Sequence, residues 1–319
     1  MTDAPRHFAL LNPAFVIDGL FVPTTGKARP TNAVAERKHA QRDVRCICGE
    51  QLGAFDQSVL LALLSEMKSS GRLVEADEPE FRALTPLLAD TSPHEDPIAI
   101  LTTSRRHILH RSGYKDCDSG GAMQRLNDAL DRLRQVAVEE IVSGIRRRSN
   151  LLGMEKDERE RLVFVINRSL AATLFAAKRQ FVRVDLAERN ELSSEIAKLL
   201  LVWLSSYVQY NNALGDKGDV RLDRLAVHIW GPAAIDRKLQ SHRRKMVQKA
   251  LVELAESGAW NISCAGRGSA AMARIIRDRQ IRIPRTISGH LPDKPATNDA
   301  QSLESGFEST GILHAISVV

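Results

Sequence analysis

Apolar residues recur along much of the chain at steps of three and four, the period of helices packed on one side. Leu52 to Met67 predicts a helix with Leu60, Leu63, Leu64 and Met67 on one face, Asp56 in its first turn and Gly71 closing it. Thr103 or Ser104 can cap a helix running to Arg111, which Ser112 and Gly113 end. The loop Asp116-Cys117-Asp118-Ser119-Gly120-Gly121 leads into a helix through Arg134, striped by Ala122, Leu126, Ala129, Leu130 and Leu133. Further on, Leu192, Ile196, Leu199, Trp203 and Tyr207 stack at helical spacing. Leu222 to Ile229 predicts a short helix, or a strand running into one, before a turn at Gly231 and Pro232. A long helix from Ile235 to Ser257 follows.

Strand signals lie between these stretches. Val136 to Val142, Leu162 to Asn167 and Phe181 to Leu186 are rich in Val, Ile and Phe, and Val44 to Cys48 reads as a short strand. Trp260 to Cys264 begins another, with Gly266-Arg267-Gly268 as a turn. Elsewhere the first 50 residues show little regular pattern, with a loop at Pro23 to Pro30. Asp77 to Pro97, with four prolines and many acids, reads as a surface loop. Helices followed by strands occur twice over, which is the order of a winged helix. The expected fold is therefore α+β, mostly helical, with two tandem winged-helix domains. Residues 1–50 form a partly irregular N-terminal segment and residues 51–186 a first winged helix for dimerisation and auxiliary DNA contacts. Residues 187–290 form a second winged helix, and 291–319, rich in Pro, Ser, Asp and Gly, a flexible tail.

The functional signal sits in the long helix. On a wheel begun at Ile235, Ile235, Leu239, Met246, Ala250 and Leu254 gather on one face. Arg237, Ser241, Arg244 and Gln248 lie opposite, flanked by Lys238 and Lys245. Before Glu253 the helix carries one acid, Asp236, at its start, where the helix dipole favours it. A merely solvated face would interleave Glu with Lys. Charge is also localised. From Lys217 to His290 there are fifteen Lys and Arg against six acids, whereas the whole chain carries only +6. A concentrated cationic region is what a polyanion requires. Arg237 and Arg244 are placed for guanine edges, Gln248 for adenine and Ser241 for either. Lys238, Lys245, Lys249 and Arg267 are placed for phosphates, with His242 on the same helix. In the first half Arg125 and Arg147 are the candidates for backbone contacts.

Composition narrows the remaining classes. Aromatic residues make up 5% of the chain and are scattered, which argues against a stacking platform for single strands. Cys46, Cys48, Cys117 and Cys264 have no metal or redox spacing, and reduced thiols in a cytoplasmic protein are expected. The most apolar stretch, Ile196 to Leu204, is too short to span a bilayer and contains Lys198, so no membrane association is expected. No phosphate-binding glycine loop occurs. His107 and His110 lack the spacing of a metal-dependent nickase, and Tyr114, Tyr207 and Tyr210 lack a suitably spaced basic cluster. Neither catalytic residues nor a cofactor or metal is expected.

A set of short stretches, kept in order over residues 19 to 264, carries a family resemblance. It comprises Gly19-Leu20-Phe21, Leu52-Gly53-Ala54 with Asp56, Asp118 to Ala122, Arg161-Leu162 with Asn167, and Leu192 with Ser194-Glu195, Ala197 and Leu199-Leu200. Asp223 with Leu225, Trp230, Arg243-Arg244, Val247, Ala250-Leu251, Glu253-Leu254 and Gly258 complete it. In these the chain resembles the RepC-type replication initiators of IncQ-like broad-host-range plasmids. The resemblance implies two winged-helix domains that bind tandem direct repeats (iterons) in double-stranded plasmid origin DNA and help to open an adjacent A·T-rich segment. It further implies a plasmid-encoded helicase and primase as partners, and a switch between active monomers and a less active homodimer. The segment before residue 19 and the extension beyond about residue 275 match nothing in that pattern. A winged-helix transcriptional repressor would use the same helix, and a DNA-nicking enzyme or recombinase is the enzymatic alternative.

Overall fold

In the computed structural model the described residues are 7–24, 28–39, 42–90, 96–142, 144–158, 161–175, 180–208, 212–214, 218–232 and 236–277. Ile235, Tyr210, part of the expected acidic loop and the expected tail at 291–319 lie outside them. Among the described residues there are nine α-helices and fifteen strands, so the fold is mixed α/β rather than mostly helical.

The first 50 residues are more regular than their pattern suggests. They contain β1 (Phe8–Leu11), β2 (Phe21–Val22), β3 (Thr31–His39) and β4 (Arg42–Glu50), and β5 (Leu52–Gly53) follows. Helix α1 (Ala54–Ser70) comes next, with every residue from Ala54 to Met67 buried. It is enclosed on all sides, so its sequence shows little amphipathic contrast. Asp56 in its first turn is fully buried, accepting from Gly53 N–H at 2.7 Å and pairing with Arg29 at 2.7 Å and Arg132 at 2.8 Å. A buried carboxylate is tolerated because two guanidinium groups and a backbone donor saturate it.

Then come β6 (Arg72–Val74), α2 (Pro79–Leu84) and β7 (Ile98–Thr103). The stretch read as an acidic surface loop thus holds a short helix and a 3-10 turn that bury Phe81, Leu84 and Leu88. Helix α3 (Arg105–Arg111) is capped by Ser104, whose hydroxyl accepts from His107 N–H. Helix α4 (Gly120–Arg134) is capped by Ser119, with its whole apolar stripe buried. The chain continues through β8 (Ala137–Val142), β9 (Ile145–Asn150), β10 (Leu152–Lys156), β11 (Leu162–Ile166), α5 (Arg168–Phe175), β12 (Val182–Asp185) and α6 (Leu186–Glu191).

Two four-stranded antiparallel sheets flank these helices, in the orders β3-β4-β8-β9 and β10-β11-β7-β6. In the first, Val44, Cys46 and Cys48 face inward while Arg45 and Asp43 lie on the opposite row. Strand β1 pairs with β12, so the N-terminal segment is tied to the middle of the chain.

The last part runs α7 (Glu195–Tyr207), β13 (Asp219–Arg221), α8 (Leu222–Trp230), α9 (Arg237–Glu256), β14 (Trp260–Ala265) and β15 (Met272–Arg277). Its antiparallel sheet has the order β13-β15-β14. One continuous apolar core runs from Ala9 and Phe15 through α1 to Leu251 and Ile275.

Candidate nucleic-acid interface

Helix α8 ends at Gly231, whose backbone (φ 74°, ψ −156°) is one that only glycine adopts readily. The chain turns there and re-enters a helix at Asp236, whose side chain caps α9 by accepting from Lys238 N–H at 2.9 Å. Val247, Ala250, Leu251 and Leu254 are the buried positions of α9. Each large one contributes roughly 1.5–3 kcal/mol by leaving water, which fixes the rotation of the helix about its axis.

That rotation differs from the one expected from Ile235. Leu239 is 41% exposed and Met246 only partly buried, while Val247 and Leu251 take the core positions. Arg244 consequently lies beside the core, not opposite it. Its Nη1 donates to both carboxylate oxygens of Asp223 in α8, at 2.8 and 3.0 Å, and its side chain is 15% exposed. The placement of Arg244 opposite the apolar face is thereby corrected. Arg243 also turns inward, its guanidinium 5.2 Å from the centre of the Trp230 ring, where burial lowers its pKa.

The remaining residues picked on α9 do share one exposed surface. Arg237, Lys238, Ser241, His242, Lys245, Gln248 and Lys249 are all exposed. Val252, 52% exposed, lies among them. Arg267 sits in the exposed turn between β14 and β15, and Gly266 before it has φ +79°. The exposed Arg221 and Arg224 add charge beside α8. This face offers amide, hydroxyl, imidazole and ammonium donors, with no carboxylate from Arg237 to Val252.

The two candidates of the first half lie on other elements. Arg125 is exposed on α4, its guanidinium 4.8 Å from the Phe55 ring centre and 5.9 Å from that of Tyr114. Arg147 on β9 pairs with Asp96 at 3.3 Å and is half-buried, whereas its neighbours Arg146 and Arg148 are exposed. The run Arg146 to Asn150 is expected from its sequence to form a wing whose arginines touch phosphates, and strand alternation puts Arg146 and Arg148 on the row opposite Arg147. Two of the residues weighed for catalysis have ordinary partners: His107 bonds Glu66 at 2.7 Å and the Tyr207 hydroxyl accepts from Arg37 at 2.9 Å. Among the described residues no group of three or more His, Cys, Asp or Glu is arranged to hold a metal ion. None of their helices is long and apolar enough to cross a membrane.

Residues 24–274 match the family model described as replication protein C (RepC). The chain belongs to the RepC family. The family expected from the sequence is thus borne out, and this RepC-family chain is a replication protein. No curated protein matches it in sequence. In structure it is similar to the crystal structure of selenomethionine derivatives of domain 2 and domain 3 of RctB. The TM-score is 0.51 at 11% sequence identity, with 84% of this chain and 98% of that one covered. At such identity the RepC-family chain shares the fold, and the details of its cationic face are its own.

Proposed function

We propose that this RepC-family chain is a plasmid replication initiator that reads direct repeats in duplex origin DNA through α9. The observation that carries this reading is the uninterrupted donor face from Arg237 to Lys249, with Arg267 on the neighbouring hairpin turn. The element order helix, strand, helix, helix, strand, strand from α7 to β15, with its three-stranded sheet, supports a winged helix over 187–290. In that geometry α9 enters the major groove and the β14–β15 turn reaches a flanking phosphate. Gln248 takes an adenine edge, Arg237 a guanine, and Lys238, Lys245 and Lys249 the backbone. Residues 51–186 form the first winged helix, its exposed Arg125, Arg146 and Arg148 giving auxiliary contacts.

Binding several adjacent repeats bends the origin, and contact energy offsets a deformation cost of roughly 1–6 kcal/mol per site. Opening of an A·T-rich segment then admits a plasmid-encoded helicase and primase, the chain itself contributing no catalysis. The test is replication in trans. A plasmid carrying only the cognate origin should be maintained when the chain is supplied and lost when it is not. Repression of a promoter without support of the origin would instead make the chain a transcriptional repressor.

A further inference from the structure

Residues Val16 to Phe21 form a strap between the first sheet and the turn that launches α9. On one side the strap is held by the first half of the chain. Gln51 Nε2 donates to Gly19 O at 3.1 Å and to Leu20 O at 3.0 Å, Arg37 donates to Val16 O, and Phe21 pairs with Leu52. On the other side it grips the end of α8. Gly19 N–H donates to His228 O at 3.2 Å, and Asp18 Oδ1 lies 2.6 Å from His228 Nδ1. The His228 ring stacks on Trp203 of α7 with centroids 4.1 Å apart.

The contact between the strap and the turn leaves no room for a side chain. A Cβ on Gly19 would lie 2.9 Å from Gly231 Cα and 3.0 Å from Gly231 N, closer than carbon atoms pack. Gly19 also has φ +71°, which favours glycine independently. Two backbones with left-handed glycines therefore meet where α8 stops, five residues before the cap of α9. The glycine at 231 sets the direction in which the chain leaves α8, and the strap fixes where that glycine sits.

We infer that the strap, through Gly19 and Asp18, positions α9 for sequence-specific reading. The inference rests on the assignment of α9 as the DNA-reading helix. Cationic side chains hold a polyanion in many orientations, but base edges are met only when the helix enters the groove at a fixed angle. Displacing the turn should therefore cost specificity before it costs affinity for DNA in general.

The probe is a duplex selected by the wild-type chain from a random-sequence library, compared with a shuffled duplex of the same composition. Gly19→Ala is expected to weaken binding to the selected duplex about tenfold and to the shuffled duplex by less than about twofold. Asp18→Asn keeps an acceptor for His228 and is expected to retain the selectivity that Asp18→Leu loses. The ratio of the two affinities is the deciding readout, because partial unfolding lowers both alike. An unchanged ratio in Gly19→Ala, or in Asp18→Leu where the glycine variant does not fold, overturns the inference. Lys245→Glu separates this failure from that of the underlying assignment. If Lys245→Glu weakens binding while the strap variants keep the ratio, only the strap is wrong. If Lys245→Glu changes nothing, or if no duplex is selected, the DNA-reading role of α9 falls with it.

Discussion

At the scale of single residues, two kinds of side chain make opposite use of burial. Arg244 looks like a base-reading arginine in the sequence, yet its bond to Asp223 makes it a brace between α8 and α9. A partly exposed ion pair of this kind contributes up to about 1 kcal/mol. Arg244→Ala is expected to lower the melting temperature by about 2–4 °C and to weaken all DNA sequences alike. A melting temperature equal to wild type, with preference relaxed at one base pair, would restore Arg244 to the groove. The cysteines supply a second test. Burial pushes the Cys46 thiol up and raises Cys48 from 9.0 to about 11. Unfolded thiols ionise first, so these two contribute stability that is present below about pH 9 and is lost as pH rises towards 11. Chemical denaturation across that window should show the decline, and Cys48→Ala should make it shallower, leaving the part due to Cys46. At neutral pH Cys264, exposed on β14, should be alkylated well before either, and bound DNA should slow its labelling.

At the scale of elements, helix caps and stripes were the most legible part of the chain. Ser104, one of the two residues expected to do so, caps α3, and Gly71 ends α1 as expected. The centre of β4 was legible at Val44 to Cys48, whereas β3 was hidden, because it carries only Ala and Val among polar residues and its pairing is not written locally. Helix α2 was masked by the prolines and acids around Phe81 and Leu84. For α9 the helix was legible but its rotation was not. Met246 and Val247 are adjacent apolar residues, and only the neighbours of the helix decide which one faces the core. That ambiguity moved Arg244 to the wrong side and left the seven exposed donors correctly grouped. Leu126 and Leu133 of α4 are fully buried, so they belong to the fold itself and offer no surface to a second chain. Leu126→Asp should therefore cost at least about 3 kcal/mol and yield unfolded protein, seen as lost circular dichroism. A folded monomer would contradict this placement.

At the scale of the whole molecule, a continuous core joins the N-terminal strands to the last sheet, while α9 and the hairpin turn after it present exposed cationic side chains. A charged ridge of this kind suits repeated, identical sites along a duplex. If six to eight phosphates are neutralised, the logarithm of affinity should fall against that of salt with a slope of roughly −5 to −7. A slope near −1 would require a much smaller footprint.

The most direct measurement places a DNA-cleaving iron chelate on Ser241→Cys, in a Cys264→Ser background, and maps cuts on a duplex the chain selects. With α9 in the major groove, cleavage should fall within the protected segment, clustered at one groove and repeated in register with each bound copy. Cuts scattered along the duplex, or none while the protein remains bound, would place α9 away from the bases.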